Sequence, residues 1–268
     1  KLRTQMGVKG KLFKAIESLY KNLTAVASIN GKNSKEFRLD IGTAQGCPLS
    51  PTLFAVYIND LVQDLQDHPR ALPECPVLAY ADDIEVAADT AEDIQQLVKL
   101  CHEWTKKWRM SANVKKCAIM KLEYGRSRNS VPEEIKWDDV PLPIVDEYKY
   151  LGLRIDKKLK FGNHAASKLS GCASRLGMIS AFCRNPKVPY KMKKQLISST
   201  ALSGIAYGVQ FYGWEQQKIL KDSISKAARV LTGTNKRTNG EAITLISGLK
   251  PLLTTAKIRA KKQTNKIA

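Results

Sequence analysis

Apolar positions fall at helical spacing near the start of the chain. Leu12, Ile16, Leu19 and Tyr20 share one face of Lys11 to Tyr20, which predicts a helix ending near Asn22. The pattern then turns β-leaning in Thr24 to Ile29 and Glu36 to Ile41, and Asn30-Gly31-Lys32-Asn33 between them predicts a hairpin. Ser50 is a good N-cap and Pro51 suits the first helical position. The helix they open runs to about Asp67, with Phe54, Tyr57, Ile58, Leu61 and Leu65 on one side. Val77 to Val86, V-L-A-Y-A-D-D-I-E-V, reads as a strand, a tight turn and a return strand, with Asp82 and Asp83 at the tip. Thr90, with Asp93 three residues on, caps a further helix lined by Ile94, Leu97, Val98, Cys101, Trp104 and Trp108.

Beyond that helix, Asn113 to Leu122 reads as a strand with Lys115-Lys116 at its mouth. Arg126 to Glu134 is loop-like. Trp137 to Ile155 looks like short strands separated by Pro141 and Pro143, ending in Tyr148-Lys149-Tyr150-Leu151-Gly152. From Asn163 the pattern is helical: Ala165 to Phe182, Tyr190 to Tyr207, Glu215 to Leu231 and Glu241 to Ile246, then a basic end. The fold class is therefore α+β, with a mixed domain over 1–160 and a helical domain over 161–268.

Charge sharpens this division. Residues 1–110 hold 14 basic and 14 acidic side chains, residues 111–160 hold 11 and 8, and residues 161–268 hold 19 and 3. The net charge of +19 is thus concentrated in the helical part. Such asymmetry points to a polyanionic partner, nucleic acid above all, gripped in a salt-sensitive way. No run approaches the ~20 apolar residues of a membrane span. The six cysteines form no C-x-x-C pair, and the three histidines fall at no zinc spacing with them. They read as reduced thiols of an intracellular protein, nuclear or cytoplasmic and not secreted, without a structural metal.

Candidate chemistry centres on the acidic pair. Alone, Asp-Asp is an ordinary polar turn. Two adjacent carboxylates also repel each other and are well served by a dication, and magnesium takes oxygen ligands of this kind. Gln45-Gly46 has no role in an ordinary capped helix. A glycine there lets backbone approach a ligand closely, and Gln45 supplies both donor and acceptor.

Together these stretches resemble a family. Q-G-C-P-L-S-P-T-L-F, from Gln45 to Phe54, followed by Y-A-D-D, from Tyr80 to Asp83, resembles the reverse transcriptase domain of non-LTR (LINE-like) retrotransposons. N-V-K-K (Asn113 to Lys116) is similar to that family's lysine-bearing segment, and Y-L-G (Tyr150 to Gly152) to its primer-gripping hairpin. Tyr207-Gly208 and Trp214 also fit the subclass, and the likeness runs over roughly the whole chain. The resemblance implies a polymerase palm over 1–160, an antiparallel sheet backed by helices, and a helical thumb over 161–268. Asp82 and Asp83 would bind two magnesium ions, with Tyr80 and Ala81 beneath the primer end. Gln45, Gly46, Ser50 and Pro51 would shape the pocket for nucleotide and template. Lys116 would be a general acid near the triphosphate, and Tyr150, Leu151 and Gly152 would hold the primer. RNA template, DNA primer and deoxynucleoside triphosphates are the implied partners.

The resemblance also implies a further metal-binding aspartate on a strand before the first helix. Residues 1–10 contain no Asp or Glu. The expectation is that the chain begins just past that motif, lacks the fingers, is the C-terminal part of a longer polyprotein and is inactive alone. A catalytically dead, nucleic-acid-binding remnant is the alternative reading. Another two-metal nucleotidyl transferase, such as a cyclase, is a third, and Gln45-Gly46 with the basic helices disfavours it.

Overall fold

The computed structural model describes residues 1–39, 42–44, 46–72, 77–123 and 134–267. Gln45 and nearly all of the expected loop over 126–134 lie outside these residues. Helix α1 (Gly10–Tyr20) forms where its apolar spacing places it, yet it buries no residue; Leu12 is 62% and Leu19 60% exposed. Strands β1 (Thr24–Ala25), β2 (Ser28–Ile29), β3 (Lys32–Asn33) and β4 (Phe37–Arg38) build the expected hairpin as two nested ladders, β2 with β3 and β1 with β4. Asn30 and Gly31 form the turn, both at positive φ, which matches the twist of the flanking strands.

Helix α2 spans Ser50–Gln66, with Pro51 in its first turn. Its cap differs from the expected one: Leu49 occupies that position and Ser50 lies inside the helix. The Ser50 hydroxyl is engaged elsewhere, donating to the Ala44 carbonyl at 2.7 Å and lying 2.9 Å from the Tyr20 hydroxyl. Strands β5 (Leu78–Tyr80) and β6 (Asp83–Glu85) form the next hairpin. Helix α3 (Ala91–Lys107) then opens as its sequence predicts, the Thr90 hydroxyl accepting from the Asp93 amide at 3.1 Å. Leu61 and Leu65 of α2 and Leu97 and Trp104 of α3 make one core with Val77, and Ile84 of β6 packs against it. The acidic hairpin is thereby backed by two helices. Burying four such side chains at about 1.5–3 kcal/mol each makes this core the main support of the hairpin.

The segment from Asn113 to Leu122 departs from its expected strand. Val114–Lys116 is a single 3₁₀ turn, and only Ile119 forms a bridge, with Ile144. Pro141 and Pro143 both precede Ile144 and have no N–H to give a ladder on that side. Among the described residues, strands β7 (Lys136–Trp137) and β8 (Val140–Pro141) pair only with each other. The Gln95 side chain ties β7 to α3, donating to the Lys136 carbonyl at 2.9 Å and accepting from its amide at 2.7 Å. Strands β9 (Glu147–Tyr150) and β10 (Leu153–Asp156) form the longest ladder among the described residues. Among the described residues the strands pair as five separate antiparallel ladders, so the architecture is a mixture of small sheets and helices.

Helices α4 (Gly162–Arg184), α5 (Tyr190–Leu196), α6 (Ser203–Ala206), α7 (Val209–Tyr212), α8 (Gln217–Thr232), α9 (Gly240–Ser247) and α10 (Leu252–Ile267) complete the chain. A π-helical stretch, Ile197–Leu202, joins α5 to α6. The basic end is thus helical, which its weak apolar periodicity did not predict. Cys172 and Leu176 of α4, Ile205 of α6, Tyr212 of α7, Leu220 and Ala227 of α8 and Ala256 of α10 share a second core. By contacts the chain divides into two compact units, 1–117 with 131–142, and 118–130 with 143–268. The β9–β10 hairpin therefore belongs with the helices. No described helix is long and apolar enough to cross a membrane. All the described cysteines are free thiols.

Candidate functional site

Tyr80 pairs directly with Asp83, which leaves Ala81 and Asp82 as a two-residue turn. Ala81 sits at φ +53°, in the left-handed region that costs a residue with a Cβ about 1–2 kcal/mol. The tip is therefore Ala81-Asp82, and Asp83 opens β6 rather than sharing the turn. Alternation along the strands puts Tyr80, Asp83, Leu78 and Glu85 on one face and Ala79 and Ile84 on the other. Ile84 faces the helical core, so the first face is open: Tyr80 is 66% exposed, and Asp82 and Asp83 are exposed too.

In a chain of net charge +19, neither Asp82 nor Asp83 has a basic ion-pair partner among the described residues. The described acidic, histidine and cysteine side chains also gather into no group of three able to hold a metal ion. Two adjacent exposed carboxylates are hard oxygen donors, and magnesium accepts one or two such groups while keeping several waters. The donor chemistry of the pair fits that ion.

The loop before α2 is held from behind. Gly46 is at φ +84°, with open space where a Cβ would stand. The Cys47 amide donates to Ala44, and the Ser50 amide to Cys47. Tyr20, at the end of α1, braces the same loop through Ser50. Nothing in the sequence around Tyr20 marked it for that part. Hydrogen bonding from the Leu49 backbone, with smaller contributions from Tyr20 and Ser50, lowers the Cys47 thiol pKa against the opposing effect of desolvation. Pro51 is exposed in the first turn of α2. Lys116 closes the 3₁₀ turn with its side chain exposed.

The second unit carries Tyr150, Leu151 and Gly152. Tyr150 pairs with Leu153, and Leu151 and Gly152 form the turn at φ +45° and +82°. The turn is docked on the helices. Tyr207 donates its hydroxyl to the Leu151 carbonyl at 2.5 Å, and its ring lies 3.3 Å from where a Cβ on Gly152 would stand. Gly208 passes so close to Leu153 that a Cβ there would meet Cδ2 at 2.3 Å. Behind the hairpin, buried His164 accepts from the Arg154 amide through Nδ1 at 3.1 Å and meets Tyr212 edge-on at 5.2 Å. Tyr207-Gly208 was visible in the sequence as part of a motif, whereas His164 carried no signal.

Comparison with known proteins adds an independent line. The sequence profile of the family described as "Reverse transcriptase (RNA-dependent DNA polymerase)" matches residues 1–155. The chain is 25% identical over 210 residues to the RNA-directed DNA polymerase from mobile element jockey of Drosophila funebris, covering 76% of this chain and 23% of that protein. It is 24% identical over 214 residues to the probable RNA-directed DNA polymerase from transposon X-element of Drosophila melanogaster, covering 75% and 22%. With the Pol polyprotein from type-1 retrotransposable element R2 of Popillia japonica the identity is 28% over 158 residues, covering 55% and 25%. The chain spans about a quarter of the length of these relatives.

Proposed function

The chain belongs to the reverse transcriptase (RNA-dependent DNA polymerase) family, and from that premise we propose that it serves RNA-templated DNA synthesis by a non-LTR retrotransposon. One observation carries the reading. The Y-A-D-D turn presents two exposed carboxylates without a basic partner among the described residues, on a hairpin backed by α2 and α3. Asp82 and Asp83 would hold magnesium, which in such transfers activates the primer hydroxyl and stabilises the leaving pyrophosphate. Tyr80, on the same open face as Asp83, and Ala81 would lie beneath the primer end. Gly46, Ser50 and Pro51, with Gln45, would border the incoming nucleotide and the template. Lys116 would stand as the general acid toward the triphosphate.

In the finer division of the fold, 1–160 would be palm-like and 161–268 thumb-like, with the β9–β10 hairpin of the first part packed on the helices of the second. The excess of basic residues after position 160 supports a phosphate-tracking role for those helices. Tyr150, Leu151 and Gly152 would press on the primer strand, and Tyr207 would fix their height through the Leu151 carbonyl. RNA template, DNA primer, deoxynucleoside triphosphates and the remainder of a longer polyprotein are the partners of this reading. The non-catalytic alternative keeps the basic helices and dispenses with the metal. Metal titration of the full chain on a template–primer duplex separates the two: the polymerase reading requires affinity that depends on Asp82 and Asp83.

A further inference from the structure

Lys1 is withdrawn from solvent, its side chain only 6% exposed, although lysine is rarely buried. Its ammonium lies 3.8 Å from the ring centroid of Trp108, 4.6 Å from that of Tyr57 and 4.8 Å from that of Trp104. Asp60 Oδ1 accepts from it at 2.7 Å, and the Tyr57 carbonyl accepts as well. Burying an ammonium is costly unless it is paired and hydrogen-bonded, and here a carboxylate, a carbonyl and three π faces offset the loss of water.

The walls hold one another without the lysine. Tyr57 and Asp60 lie one turn apart on α2, and Trp104 and Trp108 one turn apart at the end of α3. Tyr57 donates its hydroxyl to the Trp108 carbonyl at 2.7 Å, and Trp104 Nε1 donates to Asp60 Oδ1 at 3.0 Å. The Tyr57 ring meets each tryptophan edge-on at 5.8 Å. A surface lysine–aspartate pair needs none of this framework. What Lys1 carries also matters: residues 2–9 form no helix or strand, and the following α1 buries nothing. The Lys1 carbonyl accepts from the Gln5 and Met6 amides, so the turn leading to α1 hangs from this residue.

We infer that Tyr57, Asp60, Trp104 and Trp108 form an alkylammonium-binding cage, occupied in cis by Lys1, which fastens the segment leading into α1. With Lys1 removed, the cage takes an exogenous ammonium. A primary ammonium binds better than a quaternary one, because Asp60 needs an N–H donor.

The chain has four tryptophans, Trp104, Trp108, Trp137 and Trp214. Only the first two line the cage, so the full chain labelled with 5-fluorotryptophan carries internal controls. In Lys1→Ala, n-butylammonium shifts the ¹⁹F signals of Trp104 and Trp108 saturably, with a Kd on the order of 1–10 mM. Tetramethylammonium binds at least threefold more weakly, Trp137 and Trp214 do not report saturable binding, and the unsubstituted chain shows no such site. Absence of a saturable shift in a folded Lys1→Ala chain overturns the inference, as does the same shift with Lys1 present. Should Lys1→Ala not fold, Lys1→Met, which fills the recess without charge, takes its place. Without any added ammonium, the Trp104 and Trp108 signals of the Lys1→Met chain must then differ from those of the unsubstituted chain, while Trp137 and Trp214 hold still. Unmoved cage signals overturn the inference.

Discussion

Replacing Gly208 with alanine tests how tightly the β9–β10 hairpin is seated on the helices. Gly208 is at φ +68°, which costs an alanine about 1–2 kcal/mol. The new Cβ also meets Leu153 Cδ2 at 2.3 Å, an overlap that side-chain or backbone shifts relieve at about 1–3 kcal/mol. Gly208→Ala should therefore destabilise the helical unit by about 2–5 kcal/mol. Two other glycines separate the contributions. Gly233, at φ +70° with open space around it, should lose only the backbone part, about 1–2 kcal/mol. Gly177, inside α4 with nothing near, should gain about 0.5–1 kcal/mol as alanine. Urea unfolding of the full chain, followed by far-UV circular dichroism, reads all three. In a Leu153→Ala background the overlap is gone, so Gly208→Ala should then cost no more than Gly233→Ala. Equal losses for Gly208→Ala and Gly233→Ala with Leu153 in place would refute the close seating of the hairpin.

Two further outcomes follow from buried and activated groups. Burial, then the charges of Lys168 and Arg154, lowers the His164 pKa against the weaker opposing pull of Glu147, beside the Tyr212 ring. The folded chain then takes up a proton less readily than the unfolded one, so stability is intact above the ordinary value of 6.5 and falls as pH drops below it. The slope contributed by this one group is at most about 1.4 kcal/mol per pH unit, and His164→Asn, which keeps an acceptor for the Arg154 amide, should flatten it; an unchanged slope would contradict the assignment. Cys47, its pKa lowered by hydrogen bonding from the Leu49 backbone, should be alkylated by iodoacetamide at pH 7.5 at least tenfold faster than Cys101, which burial and the Cys117 charge push up to about 12. Peptide mapping checks this, and equal rates would refute it.

Features set by neighbouring residues were legible in the sequence. The Asn30-Gly31 turn and the Y-A-D-D hairpin lie where short β-leaning runs meet, although the second turn falls at Ala81-Asp82 rather than at Asp82-Asp83, and Thr90 with Asp93 announces α3 through chemistry confined to one turn. What the sequence hid depends on partners distant along the chain. Ser50 has the composition of a cap, but Ala44 and Tyr20 claim its hydroxyl. Asn113 to Leu122 has strand-like composition, but its ladder is cut short where the partner run carries prolines. The Trp104–Trp108 spacing is visible as an apolar face, yet the cage takes shape only where α3 lies against Tyr57 and Asp60, and the Lys1 that fills it is distant along the chain. The candidate residues were likewise readable as motifs, while the props behind them, Tyr20, Tyr207 and His164, were not readable as supports.

The central claim is that Asp82 and Asp83 bind the metal used in nucleotide transfer. Its most direct test is a manganese titration, read by electron paramagnetic resonance, of the full chain on an RNA template with a DNA primer and the next complementary deoxynucleotide. Asp82→Asn and Asp83→Asn should each weaken manganese binding at least tenfold, and magnesium should compete for the same site. Asp89→Asn, an exposed carboxylate beyond the hairpin, should leave it within twofold. Equal affinity in all four chains would contradict the account.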